Sequence, residues 1–341
     1  MDASSSNGDN AARKRPRTEA NQNGGNTSHG ETSQLRRHSE LWYPDGNVVV
    51  VSKNIAFRIY GGLLARHSPI FKDMLSLNQP ADAEKIAGCP IVRLADQPED
   101  LESLFLALYE RRFFKSTEAT PMTTLLGILR LADKYCIDDL KEEARKELSS
   151  HFPKTSLAEW ERTRPTRQKL LTDSPGIIIP VVMMALQLRL DVYHLALYEC
   201  CQLPIADLFR GFTHSDGTVE QLSWEIMQVV MEQRERLQIL SKAKVRVCKP
   251  KSPSCSKRAL NYTHAGYFAC VDSPSIPTLA ARVDLHTEKL KNFPQLYDPL
   301  SLFAEVLAQM LQDNSLCQEC KSALQAQHQA MKEDCWRLVR K

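Results

Sequence analysis

No long apolar run, no secretory leader pattern and no nucleotide-binding or hydrolase motif occurs in this sequence of 341 residues. The longest apolar stretch, 177–186, is interrupted by Pro180 and falls well short of the ~20 residues that span a bilayer. The opening Met1-Asp2-Ala3-Ser4-Ser5 lacks the apolar segment that a secretory signal requires. With no such signal, the ten cysteines are expected in a reducing compartment, most of them as small buried hydrophobes rather than disulfides. A formal charge of +3 is too small to imply nucleic acid by itself. There is no Gly-x-x-x-x-Gly-Lys-Ser/Thr loop, no His-Glu-x-x-His and no Gly-x-Ser-x-Gly, and the nine histidines are scattered. The chain is therefore read as a non-enzyme, with no cofactor.

Aromatic residues are missing altogether from 1–38, which is rich in Ser, Asn, Gly and Gln. Such a segment cannot bury enough apolar surface to offset its conformational entropy, so a disordered tail is expected. Inside it Arg13, Lys14, Arg15 and Arg17 surround Pro16 and have the form of a nuclear import signal. The plain alternative is a solvated charge run.

Order is expected to begin at Trp42-Tyr43-Pro44-Asp45-Gly46-Asn47. Strands at 48–51 and 55–60, with Ser52-Lys53-Asn54 between them, make a hairpin ended by Gly61-Gly62. Two short helices follow, the second capped by Ser68 with Pro69 at its first position. A third strand at 91–94 precedes a helix at 98–110, with Leu101, Leu104, Phe105 and Leu108 on one face. A further stripe places Leu125, Ile128, Leu129, Ala132, Tyr135 and Cys136 together, and Asp138 or Asp139 starts the next helix. Strands first and helices after them give an α+β domain at 40–150, built on a short three-stranded sheet. From 155 to 341 the pattern is helical. A hairpin of helices is expected at 177–202 with Asp191 as a cap, and a longer helix carries Val219, Leu222, Ile226, Val229, Leu237 and Leu240. A flexible loop follows at about 242–275, then helices at 299–314 and 317–341.

Four stretches resemble the BTB/POZ family, and in particular its expanded fungal set. They are Trp42 to Val49, Leu63 to Leu75, Leu101 to Tyr109, and Leu131 to Lys141, in the family's order and spacing. The region after 155 is similar to the C-terminal half of those fungal proteins, with Cys317-Gln318-Glu319-Cys320 and a downstream Trp336. The resemblance implies an interaction fold, with neither substrate nor catalytic residues.

Three features carry more than one reading. Cys317 and Cys320 have the spacing of half a zinc site that Cys248 and Cys255 would complete. Six residues separate the second pair, however, and on a helix Cys317, Cys320, Leu324, Met331, Cys335 and Leu338 form a core stripe. Between 241 and 258 lie Lys242, Lys244, Arg246, Lys249, Lys251, Lys257 and Arg258 with no acidic residue. They suit a phosphate backbone or an import element, or simply a solvated loop without the aromatics that stack on bases. Ser252-Pro253 and Ser273-Pro274 fit a proline-directed phosphorylation pattern. Phe113 and Phe114, beside Arg111-Arg112 at a helix end, are candidate partner contacts or packed core residues.

The leading function is protein–protein interaction, as a nuclear scaffold or a regulatory-complex subunit. The alternatives are a substrate adaptor of a cullin-type ubiquitin ligase, and a zinc-stabilised or nucleic-acid-binding protein. The partners are other proteins, with no membrane and nucleic acid disfavoured. Many BTB domains dimerise by exchanging a helix and strand that precede the first hairpin. Here 34–41 holds only Leu35 and Leu41 as apolar residues, worth ~1.5–3 kcal/mol each against an association cost of ~4–15 kcal/mol. The exchanged homodimer is therefore not expected, whereas a monomer or a weak dimer through another surface is.

Overall fold

The computed structural model describes residues 35–247, apart from 78, 79, 81, 82, 111, 112, 116–118 and 175. It also describes 317–340, with 300, 308, 311 and 312 between the two stretches. The expected disordered tail up to 34, Arg13 to Arg17 within it, and the loop from 248 onward with Cys248 and Cys255 lie outside the described residues.

The chain opens on a mixed sheet in the order β1-β3-β2-β5-β4. The expected hairpin is present as β2 (Val48–Ser52) and β3 (Ile55–Ile59), paired antiparallel from Val48↔Ile59 to Ser52↔Ile55. The turn is shorter than expected, because Ser52 belongs to the strand and only Lys53 and Asn54 connect it to β3, with Lys53 at φ +49°. Alternation sends Val48, Val50, Phe57 and Ile59 into the main core, and Val49, Val51 and Ala56 to a small cluster on the opposite face. The strand β5 (Cys89–Arg93) pairs parallel to β2, and the two-residue β4 (Lys85–Ile86) closes that edge. The sheet therefore has five strands where three are legible in the sequence.

The other unforeseen strand is β1 (Arg36–Trp42), which runs parallel to β3 with a register shift between Arg37 and Trp42. Order thus begins before Trp42, and 36–38 belong to the sheet rather than to the tail. The polar sequence RRHSELW has no strand alternation of its own. It is held by tertiary contacts: Leu41 is fully buried, His38 stacks on Phe57 at 5.0 Å, and His38 pairs with Glu102 at 3.3 Å.

Helices α1 (Gly61–His67) and α2 (Pro69–Ser76) follow the hairpin, so the two glycines begin a helix instead of separating it from the strand. Ser68 caps α2 as expected: its hydroxyl accepts from the Phe71 N–H at 3.0 Å and donates to the Tyr135 carbonyl at 2.5 Å. Helices α3 (Pro98–Tyr109), α4 (Met122–Lys134) and α5 (Asp138–His151) complete the unit. α3 and α4 approach so closely that a Cβ on Gly127 would lie 2.5 Å from Asp100 Oδ1. Cys136 leaves the expected stripe: it turns at φ +54° between α4 and α5 and is exposed, while Tyr135 beside it is buried.

The rest of the described chain is almost all helix: α6 (Leu157–Asp173), α7 (Ile178–Gln187), α8 (Tyr193–Cys200), α9 (Ile205–Arg210), α10 (Trp224–Val247) and α11 (Gln318–Val339). Pro180 sits in the first turn of α7, where its missing N–H would have had no partner. Asp191 does not cap α8; its carboxylate pairs with Lys154 at 2.9 Å, and Val192 occupies the cap position with helical φ. The long helix begins later than expected. Val219 lies in a small hairpin, β6 (Phe212–Thr213) with β7 (Val219–Glu220), and Leu222 follows it as a buried loop residue. That hairpin depends on Gly211 at φ +80°, where a Cβ would lie 2.5 Å from the Glu220 carbonyl oxygen. α10 runs on to Val247, so Lys242, Lys244 and Arg246 are helical residues rather than the start of a loop. In α11, Cys317 (just ahead of it), Cys320, Leu324, Met331 and Cys335 are buried as the stripe requires, but Leu338 is 59% exposed. One apolar core runs unbroken from the sheet through α3, α4 and α7 to α11. Among the described residues no single helix is long and apolar enough to cross a membrane.

Candidate functional site

Phe113 and Phe114 form a 3₁₀ turn, Phe113–Lys115, directly after α3. The turn is set by two backbone bonds, Glu110 N–H to the Leu106 carbonyl at 2.7 Å and Phe113 N–H to the Glu110 carbonyl at 3.0 Å. The two rings meet edge to face at 5.1 Å, and both are half-buried. They form one wall of an open groove of about 530 Å³. Its floor is Ala107, Leu108, Ile137 and Leu140, and its rim carries Glu110, Asp139, Glu143, Lys146 and Glu147, with His67 from the end of α1. The two readings of these phenylalanines therefore both hold in part: each ring packs on the core with one side and faces the groove with the other.

Electrostatics differ along the rim. Glu147 is partly withdrawn from water, and burial raises its pKa above the usual carboxylate value. It approaches His151 Nε2 at 3.6 Å. Burial, and then the nearby Arg167 cation, hold the His151 pKa below that of an ordinary histidine. Glu143 and Asp139 are exposed. The arrangement of an apolar floor, aromatic wall and charged rim suits a protein side-chain cluster better than a small polar substrate.

Sequence reasoning missed how the helical extension is fastened to this unit. Arg167 on α6 is fully buried: it donates to Glu199 Oε1 at 2.7 Å and to the His151 carbonyl at 3.2 Å, and lies 3.4 Å over the Trp160 ring. Burial pulls its pKa down against the opposing pull of Glu199. A second junction joins the β6–β7 hairpin to the sheet end. Asp216 accepts from Gln97 at 2.5 Å and from Lys53 at 3.3 Å, and Arg130 bridges Asp100 at 2.5 Å and Glu220 at 4.0 Å. Hydrogen bonds from Thr218 hold the Asp216 carboxyl well below the usual range. Nothing in the local pattern marks these pairs, because each partner lies far along the chain.

Every cysteine among the described residues except Cys136 is buried. Cys317 and Cys320 are buried at the start of α11, and Cys200 and Cys201 are buried at the end of α8, where burial pushes the Cys201 thiol up to about 12. Among the described residues no group of three or more His, Cys, Asp or Glu side chains is arranged to hold a metal ion. A second cavity of about 480 Å³ opens between α8, α10 and the end of α11, lined by Leu197, Leu237, Leu240 and Val339 among others.

No protein in a search of the curated proteins matches this chain. The family comparison is specific. Residues 41–152 match the BTB/POZ domain, a stretch that starts at the buried Leu41 of β1, ends just after α5 and contains the whole Phe113–Phe114 groove. This α+β unit is therefore a BTB/POZ domain, a protein–protein interaction fold, followed by a helical C-terminal region.

Proposed function

We propose that this protein is a scaffold subunit of a nuclear regulatory complex, holding a partner protein in the groove walled by Phe113 and Phe114. The observation that carries this reading is the groove itself: an apolar floor and two half-buried aromatic rings left open beside the extension. Aromatic anchors in a partly desolvated pocket contribute the largest share of binding energy in protein interfaces. Nuclear location rests on Arg13, Lys14, Arg15 and Arg17. The resemblance to fungal BTB proteins belongs to the same reading. The test compares affinity purification of the tagged wild type with a Phe113→Ala/Phe114→Ala variant, followed by mass spectrometry. A defined set of nuclear proteins should be lost with the variant. A cullin among the lost proteins would replace the scaffold by a ubiquitin-ligase adaptor, and an unchanged set would remove the groove from the proposal. In parallel, a fluorescent fusion should leave the nucleus when Arg13, Lys14, Arg15 and Arg17 become Ala.

The expectation that no strand is exchanged between copies rests on the composition of 34–41, with Leu35 and Leu41 as its only apolar residues. β1 is also an edge strand with a register irregularity and three charged residues, Arg36, Arg37 and Glu40, features that blunt edge-to-edge pairing. Deleting 34–41 should then leave the oligomeric state on a size-exclusion column with light scattering unchanged. Conversion of a stable dimer to monomer by that deletion would establish strand exchange.

A further inference from the structure

Three tyrosines meet at one end of the sheet: Tyr43 follows β1, Tyr60 follows β3 and Tyr109 ends α3. The Tyr43 and Tyr60 rings stack with centroids 5.0 Å apart, and Tyr109 stands edge-on at 5.6 Å from one and 6.1 Å from the other. These three distances put Tyr109 beside the stacked pair, so it covers the outer face of neither ring. All three side chains are half-buried. Tyr109 donates to the Tyr60 carbonyl at 3.1 Å, and Tyr60 to Asp45 Oδ1 at 2.7 Å. The charges that act on the cluster are of one sign. Burial first, then Glu110 and Glu40, raise the Tyr43 pKa, and the Asp45 hydrogen bond, then burial, raises that of Tyr60. No described cation acts on any of the three hydroxyls. Arg58 on β3 donates its Nε–H to the Gly46 carbonyl at 2.9 Å, and Arg111 and Arg112, next to Glu110 in sequence, lie outside the described residues. Glu40, Asp45 and Glu110 are exposed, and none is in an ion pair among the described residues. Open ring faces beside carboxylates attract a guanidinium or an ammonium group.

We infer that this tyrosine cluster docks the chain's own basic run, Arg13, Lys14, Arg15 and Arg17. Charge is the first argument: four cations in five residues meet three carboxylates and the outer faces of a stacked ring pair. Reach is the second. Arg17 lies 19 residues ahead of Arg36, the start of β1. From there Tyr43 is about 23 Å along the strand direction. A random chain of 19 residues has an r.m.s. span of ~22–26 Å. The tether therefore matches the distance, the condition under which a linked segment reaches its highest effective concentration. A run held on the cluster is withheld from the acidic groove of an import receptor. On the reading of Arg13 to Arg17 as an import signal, the cluster then restrains entry to the nucleus; the contact itself does not depend on that reading.

Carbodiimide coupling of the full chain, mapped by mass spectrometry, tests the contact, because it joins a lysine to a carboxylate only where the two touch. Lys14 should couple to Glu40, Asp45 or Glu110 in preference to other carboxylates, equally at all protein concentrations and less at high salt. Changing Arg13, Arg15 and Arg17 to Gln leaves Lys14 as the reporter and should lower this coupling about tenfold. Tyr60→Leu keeps every carboxylate in place and should lower it as well, with the melting temperature checking that the domain stays folded. Should Tyr60→Leu unfold, the arginine variant decides alone, since it touches only the tail. Coupling of Lys14 spread over many carboxylates overturns the inference, as does an unchanged yield in either variant. Coupling that rises with concentration overturns it by placing the contact between copies. Coupling of Lys249, Lys251 or Lys257 in place of Lys14 overturns it by assigning the cluster to the other basic segment. None of these results touches the Phe113–Phe114 groove.

Discussion

In the BTB/POZ domain a buried serine joins one helix start to one remote helix end, whereas in the helical extension a single buried cation gathers several elements at once. Ser68 caps the helix that starts at the next residue and also donates to the carbonyl of the remote Tyr135, on whose ring Phe71 stacks at 4.3 Å. In the extension Arg167 gathers the Glu199 carboxylate, the His151 carbonyl and the Trp160 ring, and Trp160 in turn lies 5.6 Å from Trp336 on α11. The first arrangement is local only in its cap, and its Tyr135 contacts need α2 and the end of α4 together. The second exists only when α5, α6, α8 and α11 are all in place.

The contrast should break first at Arg167. Arg167→Leu removes the buried cation that Glu199 and the surrounding oxygens share, and a broken buried pair costs about 3–5 kcal/mol. Urea unfolding should show that loss, with the extension separating from the BTB/POZ domain as an earlier transition. A loss near zero would mean that apolar packing alone holds both regions.

A smaller effect is expected at Cys317 and Cys320. Replacing both with Ala should cost about 1–3 kcal/mol in total through lost packing. A chelator should leave the wild-type melting temperature unchanged; a large drop would show a metal holding the extension together. Ser68→Ala probes the local side of the comparison and should cost about 1 kcal/mol, the usual loss for a helix cap. A much larger loss would show that the Ser68–Tyr135 bond, which reaches from α2 to the end of α4, matters more than the cap.

The smallest effect is in pH, at the seam between the two regions. His151 ends α5, and burial followed by the Arg167 cation depresses its folded-state pKa. Folding then favours the neutral imidazole, and the unfolded chain binds the proton more tightly. The stabilisation is complete above the unfolded value of about 6.5 and is lost as pH falls from there towards the lower folded value. His151→Gln should flatten this part of the stability profile. An unchanged profile would place the acid sensitivity elsewhere.

The BTB/POZ domain was the more legible of the two regions. The hairpin, the Ser68-Pro69 helix start and the stripe of Leu101, Leu104, Phe105 and Leu108 were readable because each is a local pattern. The groove was half legible: Phe113-Phe114 stood out at a helix end, but Ile137, Leu140 and the acidic side of α5 join them only through folding. The helix expected to carry Val219 shows the opposite failure. Its apolar spacing suits a helix, yet the positive φ of Gly211 and the contacts of Asp216 with Lys53 and Gln97 make a hairpin there.

The sequence by itself determined which segments would bury an apolar face, because period and capping are properties of neighbours along the chain. It therefore settled the BTB/POZ hairpin, its helices and the cysteine stripe of α11. Tertiary structure alone decided the strand Arg36–Trp42, the exposure of Cys136 and the burial of Arg167. For the strand and for Arg167 the deciding partner is remote, the free edge of β3 and Glu199, while Cys136 is exposed by the left-handed turn that joins α4 to α5. A polar strand and a buried cation gain their free energy from such partners, and no pattern of adjacent residues encodes where those partners will be.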